Sequence, residues 1–271
     1  MEQLKDSIMS KLKPIKGEFG IAFKDLQTGK TLFVNEKENF HAASTMKTPV
    51  MIEVFKQAKA GKFKLTDSIS VKNEFKSIVD GSLFGLDISD DSADDMYKKI
   101  GQKMTIYDLT YQMIIVSSNL ATNILIDLVG AKNANASMRL LGAKDIQVLR
   151  GVEDNKAFRA GMNNSVTAFD LMVIFEKIAR KKAVDKKADE AMVQILLDQK
   201  FNEIIPDNLP TTVKVAHKTG SITGVQHDSG IVYLPDGRQY VLVLLSKKLT
   251  DTQAAVKALA QVSEMIYNYV K

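Results

Sequence analysis

Two strand-patterned stretches stand at opposite ends of this chain, and the segment between them carries mainly the rhythm of helices. In "GIAFKDLQTGKTLFV", residues 20–34, Ile21 and Phe23 recur at a period of two, a Gly-containing turn follows, and Leu32 to Val34 return. That is the pattern of a hairpin. In "GVQHDSGIVYLPDGRQYVLVLLS", residues 224–246, two apolar runs flank Pro235-Asp236-Gly237, a turn set. From residue 44 to about residue 200 the helical period dominates. Thr105 with Asp108, and Thr167 with Asp170, open helices as capping boxes. Gly130 and Gly142 read as helix stops. One more helix precedes the first hairpin, with Leu4, Ile8 and Leu12 on one face. Another begins near Thr252 and aligns Ala254, Ala258, Val262 and Ile266. The expected fold class is α/β (α+β): one antiparallel sheet built from both ends of the chain, flanked by helices, with an all-helical lobe inserted. Residues 1–46 plus 205–271 would form the α/β lobe and residues 47–204 the helical lobe. The two would make one structural unit with a cleft between them, a common place for a small-molecule site.

Composition removes several classes of function. The chain has no cysteine, so disulfides, thiol nucleophiles and thiolate metal sites are excluded together. Three scattered histidines, His41, His217 and His227, make no convincing zinc site, and no metal or organic cofactor is expected. The net charge is +5, but the lysines alternate with acids, as in "EKIARKKAVDKKADE". That is a solvated helix face and gives no reason to expect nucleic acid. No apolar run approaches the ~20 residues of a membrane span. The N-terminus lacks the apolar stretch and cleavage site of a signal peptide, so the sequence reads as a cytoplasmic protein or as a mature domain without its leader.

Chemistry enters at "HAASTMKTPV", residues 41–50, where Ser44 and Lys47 are three apart. On a helix beginning near Ser44 they share a face, and Pro49 fits an early turn. A hydroxyl becomes a good nucleophile only when a base takes its proton. A lysine can be that base if burial or a second cation lowers its pKa. Lys218-Thr219-Gly220 supplies a second lysine, and Ser117-Ser118-Asn119 lies between the two. Ser10 and Lys13 repeat the first spacing but lack the partners, and an amphipathic helix accounts for them. Among the histidines, His41 is the best alternative base, and no G-x-S-x-G elbow is present. His217 and His227 could face each other across paired strands. Met46, Met51 and Met113 read as core.

Serine-x-x-lysine, serine-x-asparagine and K-T-G, in this order, form the signature of penicillin-recognising serine enzymes. Along nearly its whole length the chain resembles class A β-lactamases and the related D,D-peptidases. The resemblance implies Ser44 as the acylated nucleophile, Lys47 as the group that holds or takes its proton, and Ser117 as the relay to the leaving nitrogen. It implies Asn119, Lys218 and Thr219 as substrate-binding side chains, and the N–H groups of Ser44 and Ser221 as an oxyanion hole. It also implies a β-lactam or peptidoglycan-peptide substrate and a periplasmic or secreted address; a monomer is the default expectation.

Two departures from the family pattern stand out. Ser118 replaces the usual aspartate and is expected to brace its loop. In "VLRGVEDNKAFRAGMNN" the residue two after Arg150 is Val152, where a glutamate would act as the deacylating base; Glu153 follows one position later. Glu153 is therefore either that base or a surface acid, and Asp154 is available to pair with Arg150.

Overall fold

The computed structural model describes residues 1–271. In chain order the elements are α1 (Glu2–Leu12), β1 (Glu18–Asp25), β2 (Thr31–Val34) and β3 (Phe40–His41), then a 3₁₀ turn (Ala43–Met46) leading into α2 (Lys47–Lys59). Short strands β4 (Ser68–Ser70), β5 (Phe75–Lys76), β6 (Leu83–Phe84) and β7 (Lys103–Thr105) follow. After them come α3 (Ile106–Ile115), α4 (Asn119–Val129), α5 (Ala131–Leu141) and α6 (Asn155–Arg159). The remainder is β8 (Ser165–Val166), α7 (Ala168–Ala179), α8 (Lys186–Leu197), β9 (Lys214–Ile222), β10 (Val225–Tyr233), β11 (Gln239–Lys247) and α9 (Thr252–Val270).

The main sheet runs β2-β1-β11-β10-β9 and is antiparallel throughout. Strands from the two ends of the sequence are thus direct neighbours, with Phe23 opposite Leu242. Alternation along the strands feeds two cores. Ile21, Phe23, Leu242 and Leu244 pack toward α1 and α9. Ala22, Val241, Val243 and Leu245 join the larger core under the helices between the strands. With both faces covered, β11 is a continuous apolar run, and each fully buried Leu contributes about 2 kcal/mol. Met46, Met51 and Met113 lie in the larger core.

Local signals set the helix ends. Thr105 and Thr167 accept hydrogen bonds from the Asp108 and Asp170 amides, at 3.0 and 3.1 Å. Gly142 ends α5 with φ +99°, a value that penalises any side chain. The helix expected at Ser44 starts three residues later, at Lys47, because residues 43–46 wind more tightly as the 3₁₀ turn. The sequence pattern gave no hint of the β5–β6 hairpin. No helix is long and apolar enough to cross a membrane.

Candidate active site

Four separated pieces of chain bring their polar groups together at the edge of β9. Lys47 is the first residue of α2, one turn past Ser44, and it is fully buried. Its Nζ donates to the Ser117 carbonyl at 2.6 Å, to Ser117 Oγ at 3.2 Å and to Asn119 Oδ1 at 2.9 Å. From the opposite side the fully buried Lys218 donates to the same Ser117 Oγ at 3.0 Å. Two fully buried amines therefore converge on one hydroxyl. Burial lowers the Lys47 pKa from 10.5 to about 7, against an upward pull from Asp91 and Glu153. Burial, and then the charge on Lys47, hold Lys218 well below 10.5, with Asp228 opposing.

Ser44 itself is half-buried and stands between two openings. One, of about 660 Å³, includes Ser117, Asn119, Thr219, Gly220 and Ser221 in its wall. The other, of about 640 Å³, reaches Val152, Glu153 and Asn155. A groove of about 690 Å³ between α1 and β1 holds none of these groups. Gly220 is required where it is: a Cβ there would lie 3.0 Å from Ser44 N and 3.1 Å from Thr45 N. The strand edge thus lies directly against the amides that open the turn, beside Ser221.

Of the six non-glycine residues with positive φ, three border this site: Ala43 (+44°), Ser117 (+58°) and Glu153 (+60°). Such conformations cost of order 1–3 kcal/mol each and cluster at functional sites. Asn123 holds the Val152 peptide with both amide atoms, its Nδ2 to Val152 O at 3.0 Å and Val152 N to its Oδ1 at 2.7 Å. Gly151 packs so closely on Asn123 that a Cβ would come within 2.2 Å of Oδ1. The left-handed turn then directs Glu153 inward, where Oε1 accepts from Asn119 Nδ2 at 2.8 Å. Burial raises the Glu153 pKa above its ordinary 4.5.

Two expectations fail. Asp154 forms no ion pair with Arg150; it caps α6 through Ala157 N and accepts from Ser77 Oγ and Ile78 N, both at 2.9 Å. The loop is therefore held by the β5–β6 hairpin, and Lys156 adds a second tie to Asp80. Arg150 instead donates to backbone carbonyls of residues 151 and 162 and to Asn163 Oδ1. His217 and His227 do not face each other, because the register sets them opposite Gly230 and Gly220. His217 Nδ1 meets Asp228 Oδ1 at 2.8 Å. His227 donates to the His41 carbonyl, and burial lowers its pKa to about 4. His41 Nδ1 accepts from the Ala43 amide at 3.0 Å, which ties the ring into the turn. Ser118 Oγ caps α4, accepting from Ala121 N at 3.2 Å.

The model of the "Beta-lactamase enzyme family" matches residues 1–270. The chain belongs to the beta-lactamase enzyme family. It is 24% identical to the extended-spectrum beta-lactamase PER-1 of Pseudomonas aeruginosa, over 98% of this chain and 87% of that protein. A beta-lactamase of Bacteroides uniformis is also 24% identical, over 100% of this chain and 92% of its own length. Among solved structures, the beta-lactamase from Sphaerobacter thermophilus superposes with a TM-score of 0.86 at 25% identity, covering 99% of this chain and 97% of that one. PBP-A gives 0.84 at 24% identity, covering 100% and 96%. Membership of the beta-lactamase family makes the chain a hydrolase and agrees with the five-stranded antiparallel sheet and surrounding helices. Sequence reading missed Gly151 and Asp91 at this site and took Asn123 only for a buried amide, since Asn123 and Asp91 hold backbone groups of distant segments and Gly151 packs on the Asn123 side chain.

Proposed function

We propose that this chain is a class A serine β-lactamase that opens the β-lactam ring through an ester on Ser44. The observation that carries the reading is the convergence of Lys47 and Lys218 on Ser117 beside Ser44. In acylation, neutral Lys47 takes the hydroxyl proton as Ser44 Oγ attacks the lactam carbonyl. The oxyanion forms against the N–H groups of Ser44 and Ser221, as a preorganised dipole site requires. The lactam C–N bond breaks, and the proton passes through Ser117 to the departing nitrogen. Lys218 and Thr219 hold the substrate carboxylate, and Asn119 receives the side-chain amide. In deacylation a water loses its proton to Glu153 and attacks the ester carbonyl, which frees Ser44. Lys47 is buried and Glu153 half-buried, so each pKa moves toward the working pH of its step.

A variant of PBP-A is described as an acyl-enzyme complex with penicillin G, at 25% identity and a TM-score of 0.84. That supports acylation at the matching fold. The second reading is a D,D-carboxypeptidase acting on peptidoglycan stem peptides. Val152 at the position clamped by Asn123 favours this alternative, because the acid arrives one residue late. A monomer working outside the cytoplasm suits either substrate.

Labelling with a fluorescent penicillin followed by a chase tests the proposal. Wild type should take label on Ser44 and release it, Ser44→Ala should take none, and Glu153→Gln should keep it. General bases contribute about 10²–10⁴-fold, so the Glu153→Gln adduct should outlive the wild-type one by at least a hundredfold. Label retained in Ser44→Ala would refute the nucleophile. An equally persistent wild-type adduct would favour the peptidase.

A further inference from the structure

Replacement of the usual acid by Ser118 leaves the start of α4 without a carboxylate of its own, yet one is present. Asp91, from the loop between β6 and β7, places Oδ2 2.9 Å from Asn119 N and 2.9 Å from Leu120 N, the first two amides of the helix. Tyr97 donates its hydroxyl to the same oxygen at 3.2 Å, and Ser118 Oγ lies 3.5 Å away. The other oxygen accepts from Ala93 N at 3.1 Å, which fixes the carboxylate in its own loop. Next to it the Asp90 carbonyl accepts from Asn119 Nδ2 at 3.1 Å. Residues 90 and 91 therefore grip Asn119 by main chain and side chain together. Asn119 in turn touches both Lys47 and Glu153.

We propose that Asp91 is a positioning residue of this active site, a carboxylate supplied across space that does the work of the acid missing from position 118. A negative group at a helix N-terminus is stabilised by the unpaired amides and the helix dipole. Here that stabilisation fixes the Ser118–Asn119 peptide, one residue beyond Ser117 in its left-handed conformation. Loss of the carboxylate lets Asn119 and the Ser117 carbonyl drift from Lys47, and small displacements of reacting groups are costly in rate. The Asp91 charge also pulls the Lys47 pKa upward.

The assignment rests on acylation of Ser44, and its test uses single-turnover labelling of the full chain by fluorescent penicillin. At about pH 9, where Lys47 is neutral with or without the Asp91 charge, Asp91→Asn should label about 10–100-fold more slowly at saturation, with little change in the half-saturating concentration. Adding Ser118→Asp to that variant returns a carboxylate to the same volume and should restore most of the rate. Ser118→Asp alone crowds two carboxylates and should slow wild type. A purely structural defect in Asp91→Asn would not be repaired by a second buried substitution. Labelling of Asp91→Asn at the wild-type rate overturns the proposal, and so does a double variant as slow as the single. Should Asp91→Asn fail to fold, a folded and acylating double variant supports the assignment and an unfolded one overturns it. Absence of label on wild type would remove the acylation reading itself. Labelled wild type beside an equally fast Asp91→Asn removes only Asp91.

Discussion

The pH dependence of acylation follows from the burial of Lys47. An ordinary lysine is neutral at pH 7 in only about one molecule in 3,000. With its pKa lowered from 10.5 to about 7, half of the Lys47 side chains can accept a proton at neutral pH. The net shift corresponds to about 5 kcal/mol of preference for the neutral amine, burial outweighing the charges of Asp91 and Glu153. The reactive form is the deprotonated one, so the rate falls as pH drops below the folded pKa and levels above it. Between about pH 5 and about pH 7 the neutral fraction, and with it the single-turnover labelling rate, should rise about fiftyfold. Glu153 sharpens the test. Its negative charge pulls the Lys47 pKa up, so Glu153→Gln should move the midpoint to lower pH. That variant should acylate faster than wild type on the acid limb even as it loses deacylation. A labelling rate level between about pH 6 and about pH 9 would refute lysine as the base. A midpoint that rises in Glu153→Gln would refute the charge coupling.

Gly220→Ala should leave the fold intact but cut acylation by about 10²-fold, since its Cβ would sit 3.0 Å from Ser44 N and force the strand edge away from the turn; unchanged labelling kinetics would contradict that packing. Asp154→Ala strips acceptors from Ser77, Ile78 and Ala157 and should cost about 2–4 kcal/mol in a denaturant melt, with deacylation slowed more than acylation. Because hydrogen bonds hold the Asp154 pKa below its ordinary value, its stabilisation is present above the ordinary carboxylate range and lost as pH falls through the folded value. The gap between the Asp154→Ala and wild-type melts should therefore close in acid.

The parts of the molecule legible from the sequence are those governed by period and local chemistry. Alternating strands, Thr105 and Thr167 caps and the Gly142 stop each act within a few residues, and the pattern records them directly. The Ser44, Ser117 and Lys218 motifs were legible by order, although nothing in the order shows two amines meeting at Ser117 Oγ. Contacts between distant loops left no trace. Asp154 prefers Ser77 and Ile78 to Arg150 because the β5–β6 hairpin lies against it, and that hairpin has only two residues per strand. Glu153 shows the same limit at a single residue. Counting placed it one position off, and only a backbone in the left-handed region turns it inward.

The pairing of β1 with β11 gives the molecule a birth order. A ribosome delivers Glu18–Asp25 long before Gln239–Lys247 exists to lie beside it. Until that late segment emerges, the framework that carries Lys218 to Ser117 has no middle strand, and the serine at position 44 is chemically ordinary. Competence should switch on in one step, and only after residues 239–247 have emerged.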